Sequence, residues 1–139
     1  MIELASAVRT STAPPAAFFA RWIDHESWPE WSPDTEWARI EGPVGEGVRG
    51  KLKPVGGPRT AFVVAECVPD RVYTDVSRLP GARLTFRHTV APTPSGSELA
   101  VDVRLEGPLS RFWARTAFAG FREGVPADLD RLIGLVEAE

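Results

Sequence analysis

The amino-acid sequence predicts an α+β fold, in which a seven-stranded, curved antiparallel sheet wraps around one long, kinked C-terminal helix, with two short helices between strands 1 and 2. Three observations predict it. Six strand-like runs between residues 35 and 106 are separated only by short turn-forming segments, so consecutive strands should pair as hairpins. The last run has a dry and a wet side. After it, an amphipathic stretch reaches almost to residue 139, and it is the one element large enough to cover the dry face of such a sheet.

The elements follow in order. Ile2, Leu4, Ser6 and Val8 alternate with Glu3, Ala5, Ala7 and Arg9, the period of a half-buried strand. Ser11-Thr12-Ala13-Pro14-Pro15 then gives a helix start, because proline suits the first helical positions, where its missing N–H would be unpaired anyway. The helix places Phe18, Phe19, Trp22 and Ile23 on one side and stops before Pro29. Asp24 to Asp34, with two prolines, suits a short helical turn or ordered loop. Strand-like runs follow at 35–41, 47–53, 59–68, 71–79, 83–91 and 97–106. In the last, Leu99, Val101, Val103 and Leu105 oppose Glu98, Asp102, Arg104 and Glu106.

Gly107-Pro108-Leu109-Ser110 opens the final helical stretch. Leu109, Trp113, Ala117, Gly120 and Phe121 share a side opposite Arg111, Arg115 and Arg122, which read as a solvated face. Leu129, Leu132, Ile133 and Val136 form a second stripe out of phase with the first, and a kink is expected at Gly124-Val125-Pro126 between them.

With 139 residues and neither linker nor repeat, the chain is expected to form a single domain over 1–139. A net charge of −3 with no basic block argues against nucleic acid as a partner. No apolar run is long enough for a membrane span. The start Met1-Ile2-Glu3-Leu4 lacks the positive charge of a signal peptide, so a cytoplasmic location is expected. Cys67 stands alone and reads as core filling. Asp24-His25-Glu26 does not make a metal site, since adjacent loop residues rarely converge on one ion; no metal and no cofactor is expected.

Several motifs in this order carry a resemblance. They are Ala13-Pro14 before a helix with Phe18 and Trp22, the Ser27-Trp28-Pro29-Glu30-Trp31 segment, Leu79-Pro80-Gly81-Ala82 between two strands, and Gly107-Pro108-Leu109 before the last helix. Together they resemble the SRPBCC superfamily, the START-related and polyketide cyclase/dehydrase-like proteins, over essentially the whole chain. The resemblance implies the helix-grip fold shared with the birch pollen allergen and a deep apolar cavity that binds lipids, hormones or polyketides and in some members cyclises them. Aromatase/cyclases of this superfamily carry a tryptophan, a serine and arginines along a middle strand. The corresponding Arg59-Thr60-Ala61-Phe62-Val63-Val64 is apolar beyond its first two residues, so none of those catalytic residues is carried over.

The candidate site is a cavity lined by Trp28, Trp31, Phe62, Phe86, His88, Trp113 and Phe121, holding a small hydrophobic or aromatic ligand. Trp28 and Trp31 can equally be plugs at the barrel end. His88 shares a strand face with Leu84, Phe86 and Val90; it is either a core histidine or a general acid/base for a cyclase or dehydrase. A third reading is a regulatory or structural protein whose cavity its own bulky side chains fill.

The hairpin at Pro80-Gly81 has two registers. With Leu79 opposite Arg83, Thr74 faces His88, and Asp75 lies outside beside Arg87. With Arg78 opposite Arg83, Tyr73 faces His88 and Asp75 joins the inner side, which favours catalysis, with Arg78 or Tyr73 stabilising an enolate. The first buries less charge and is the expected register.

Overall fold

A computed structural model describes residues 1–139. The chain forms one seven-stranded antiparallel sheet of β1 (Ile2–Ser11), β2 (Thr35–Ile40), β3 (Arg49–Pro54), β4 (Thr60–Val68), β5 (Val72–Leu79), β6 (Ala82–Thr93) and β7 (Gly96–Glu106). Its spatial order is β1-β7-β6-β5-β4-β3-β2, so every neighbour after β2 is a hairpin and the first strand closes onto the last. Between β1 and β2 lie α1 (Pro15–Trp22) and a 3₁₀ segment (His25–Glu30), followed at the C-terminal end by α2 (Ser110–Arg115) and α3 (Phe121–Glu137). This is the arrangement that the punctuated strand runs predicted, and it has the helix-grip form that the resemblance implied.

The dry face of β7 is as expected, with Leu99, Val101, Val103 and Leu105 all buried. β1 departs from simple alternation. A bulge between Glu3 and Ala5 places one extra residue in the strand, so the inward set changes from Leu4 to Ala5, Ala7 and Ser11, while Ser6 and Val8 are exposed. Phe18, Phe19 and Trp22 of α1 are buried against the sheet, as their spacing required.

The C-terminal helix is broken elsewhere than expected. The interruption falls at residues 116–120, and α3 runs on through Pro126, which stands in its second turn. The apolar stripe Val125, Leu129, Leu132 and Val136 is continuous and buried, so tertiary packing holds this helix across the one hydrogen bond that Pro126 removes. Its backbone approaches β1 most closely, and β7 and α1 less so. Ser32 Oγ donates to Asp128, Ser11 Oγ donates to Glu137 and Arg21 pairs with Glu139, ties that fix α3 along this side.

Pro80-Gly81 sets the central register. Leu79 pairs with Ala82 and Arg78 with Arg83, so the loop has two residues, Tyr73 faces His88 and Asp75 faces Phe86. The expected register is therefore corrected by one residue. Proline suits the first turn position and Gly81, at φ +70°, suits the second, the pattern of a type II turn. That local preference outweighs the cost of an inward carboxyl, which protonation reduces. Arg87 does not need Asp75 either, because Glu66 of β4, brought round by a bulge between Val64 and Glu66, takes both Arg87 and the Thr74 hydroxyl on the outer face.

Candidate functional site

The inner face of β4–β6 carries Phe62, Tyr73, Asp75, Ser77, Leu84, Phe86 and His88. Gly50 of β3 makes room there: a Cβ on it would stand 2.3 Å from the Phe62 ring and 2.6 Å from the Arg39 carbonyl oxygen. The 3₁₀ segment closes one end. With three residues per turn it stacks His25 and Trp28 on one side, and Trp31 follows at the same interval. Their rings meet at 4.6 Å (His25 and Trp28) and 5.9 Å (Trp28 and Trp31), and both His25 and Trp28 lie over Phe62.

The sequence-predicted residues fall into two groups joined by His88. Trp28, Trp31 and Phe62 are buried at the closed end, where Trp28 Nε1 donates to the Trp22 carbonyl at 3.1 Å. Phe86, Trp113 and Phe121 are half-buried at the other end, with Phe86 and Phe121 at 5.8 Å and Phe118 linking Phe121 to Trp113. His88 touches Tyr73 at 5.9 Å and Phe86 at 6.2 Å, so ring contacts run continuously from one end to the other. Trp22, on the helix side, packs on His88 at 5.3 Å. Thr74 and Arg78 belong to the outer face. There Arg78 lines a shallow hollow of about 410 Å³ with Val63, Ala65, Val76, Arg83 and Thr85, so it cannot reach an inner enolate.

Four titratable groups converge inside: His25 (2% exposed), Tyr73 (0%), Asp75 (3%) and His88 (7%). Two hydrogen bonds define their protonation. His88 Nδ1 lies 3.2 Å from the Tyr73 carbonyl oxygen and His25 Nδ1 lies 3.2 Å from that of Ile23. A carbonyl can only accept, so each Nδ1 carries the proton and each Nε2 is left as an acceptor in the neutral ring. The Tyr73 hydroxyl, 2.7 Å from His25 Nε2, therefore donates to it. No protein group donates to His88 Nε2. It is also not among the fully enclosed polar atoms without a partner, which are Trp22 Nε1, Trp31 Nε1 and Asp102 Oδ1.

Burial governs the charge states. It pushes Asp75 up to about 7. It lowers His88 to about 4, with the Tyr73 carbonyl opposing, and also lowers His25. The Tyr73 phenol is raised, first by burial and then by Asp75. Asp75 forms no ion pair, and at neutral pH it sits between its acid and base forms while both imidazoles are neutral. The strip can thus offer a hydrogen-bond donor or a base at Asp75 and an acceptor at His88, with apolar rings on both sides.

His25 was missed by sequence reasoning, which weighed it only as a metal ligand. Its signal was there: residues 25, 28 and 31 share the spacing of three that places the two tryptophans inward. Asp75 was assigned to the wrong face by the register, although proline followed by glycine suits the two central positions of a type II turn.

Comparison with known proteins places this arrangement. Residues 3–137 match the family described as polyketide cyclase / dehydrase and lipid transport. No curated protein sequence matches the chain. Among solved structures, protein MLL2253 from Mesorhizobium loti is similar with a TM-score of 0.76 at 18% identity, covering 96% of each chain. Ara h 8.0201 gives 0.69 at 18% identity over 96% of this chain and 97% of its own. The di-domain ARO/CYC StfQ of the steffimycin biosynthetic pathway gives 0.73 at 15% identity, over 96% of this chain and 50% of its own. At these identities the likeness is one of fold.

Proposed function

The chain belongs to the polyketide cyclase / dehydrase and lipid transport family, and on that premise we propose that it binds a small, largely apolar or aromatic molecule against the inner strip from Phe62 to Phe121. The supporting observation is a pair of polar groups on an apolar wall. His88 Nε2 accepts from no protein group and is not fully enclosed, and Asp75 has no cation, so both are open to a partner from outside the fold. A guest that is mostly hydrocarbon but carries a hydroxyl or carbonyl would lie on Phe86 and Phe121 and satisfy both. Trp28, Trp31 and Phe62 are buried at one end of that strip, and Trp113 and Phe121 are half-buried at the other.

Native mass spectrometry of protein purified from its own host tests this reading. Retention of an apolar compound supports it. Persistent absence of any adduct, together with no binding across lipid and polyketide panels, would overturn it.

A second reading, cyclisation or dehydration of a β-keto substrate, is favoured by one observation: Tyr73, Asp75 and His88 are together on the inner face. Enolisation needs a base near a substrate α-carbon, and Asp75 or His88 offers one.

A further inference from the structure

The segment from Gly107 to Gly124 contains no buried residue, although Leu109, Phe112, Trp113, Phe118 and Phe121 all lie in it. It comprises α2, the interruption at 116–120 and the first turn of α3, and it adjoins the half-buried Phe86 through Phe121. Two bonds hold it to the β5–β6 turn, Leu109 N–H to the Gly81 carbonyl at 2.9 Å and Trp113 Nε1 to the Pro80 carbonyl at 2.8 Å. Leu109 is 46% exposed and Phe112 56% exposed, the only large aromatic side chain exposed to that degree.

Charge is distributed unusually here. In a chain of net charge −3, residues 107–124 hold three arginines against one acidic residue, Glu123. Arg111, Arg115 and Arg122 are all exposed, and none is among the ion-paired arginines, which are residues 9, 21, 83, 87, 104 and 131. The arginines that sequence analysis read as a plain solvated face therefore share a segment with the exposed Phe112 and Leu109.

We propose that this segment is a docking surface for an anionic lipid bilayer. Phe112 and Leu109 are placed to enter the interfacial layer, and the three arginines to meet lipid phosphates. A second copy of the chain fits worse, because a two-fold self-contact would set these unpaired arginines against one another. Docking would bring the half-buried Phe121, at the outer end of the inner strip, toward the bilayer. The proposal stands whatever the inner strip binds.

Co-sedimentation with vesicles tests it, using phosphatidylcholine alone and phosphatidylcholine mixed with phosphatidylglycerol. The intact protein is expected to partition onto the mixed vesicles only, and less at high ionic strength. Each arginine near an anionic surface contributes roughly fivefold in affinity, so joint Arg111→Gln and Arg115→Gln should weaken partitioning by roughly 25-fold. Phe112→Ser should weaken it too, and Arg71→Gln, in the exposed β4–β5 turn, should leave it unchanged. Circular dichroism of each variant should match the parent. The proposal is overturned if the parent stays in solution with both vesicles, if Arg71→Gln costs as much as the paired substitution, or if Phe112→Ser instead abolishes a dimer.

Discussion

Replacing Asp75 by Asn should change how stability depends on pH more than it changes stability at any single pH. The carboxyl ionises near 3.8 when unfolded and near 7 when folded, because burial disfavours its charge. Between those values the unfolded chain has released a proton that the native chain still holds, so stability falls as pH rises, by about 1.4 kcal/mol per pH unit. Over the whole window this amounts to about 4 kcal/mol. His88 acts with the opposite sign. Its folded value of about 4 lies below the ordinary 6.5, so stability falls as pH drops through that range, by about 3 kcal/mol in all. The two slopes nearly cancel in the parent protein, which hides both. Urea unfolding followed by tryptophan fluorescence from pH 4 to pH 8, on parent and Asp75→Asn side by side, separates them. The stability of the variant relative to the parent should climb by about 4 kcal/mol between pH 4 and pH 7 and then level off. Parallel profiles would refute the assignment of Asp75 as a buried, unpaired acid.

Three further outcomes follow from the same geometry. His88→Ala should gain on the parent as pH falls from 6.5 toward 4, by up to about 3 kcal/mol, superimposed on a constant packing loss and measured by the same titration. Tyr73→Phe removes the donor to His25 Nε2 and leaves a buried acceptor unpaired, a cost of about 1–3 kcal/mol in urea unfolding at pH 7; no cost would mean that this 2.7 Å contact is not a stabilising bond. Gly50→Ala drives a methyl group to within 2.3 Å of the Phe62 ring and should lower stability by about 1–3 kcal/mol, read as a fall in Tm; an unchanged Tm would show that Phe62 is free to move aside.

The sheet was legible because its signals are local. Alternation in β7 and turn residues between every pair of strands each depend on a handful of neighbours, and the observed strands lie within two residues of the runs read from the sequence. What escaped depended on balances between distant groups. The face of Asp75 was decided by a turn preference at Pro80-Gly81 against a burial cost that protonation reduces, and by Glu66, a residue from another strand, satisfying Arg87. The helix break moved from Gly124-Val125-Pro126 to residues 116–120 because the stripe from Val125 to Val136 finds a continuous partner in β1 and β7. In β1 one bulged residue reversed a pattern that simple alternation had read straight through. His25 was legible only through a 3₁₀ period that helical reasoning at 3.6 residues per turn overlooks.

The charge states also reorder the acid/base candidates for the second reading. Sequence reasoning placed the proton transfer on His88, yet in the folded chain that imidazole is lowered to about 4, which makes it a poor base for a carbon acid at neutral pH. Asp75, raised to about 7, is matched to the operating pH and is the better base, with His88 Nε2 acting as an acceptor that orients a substrate hydroxyl. If a β-keto substrate is turned over, Asp75→Asn should lower kcat by about 10²–10⁴-fold, and the rate should rise with pH through about 7. His88→Ala should act mainly on KM. A rate limb near 4 that disappears in His88→Ala, with full activity retained in Asp75→Asn, would return the proton transfer to the histidine.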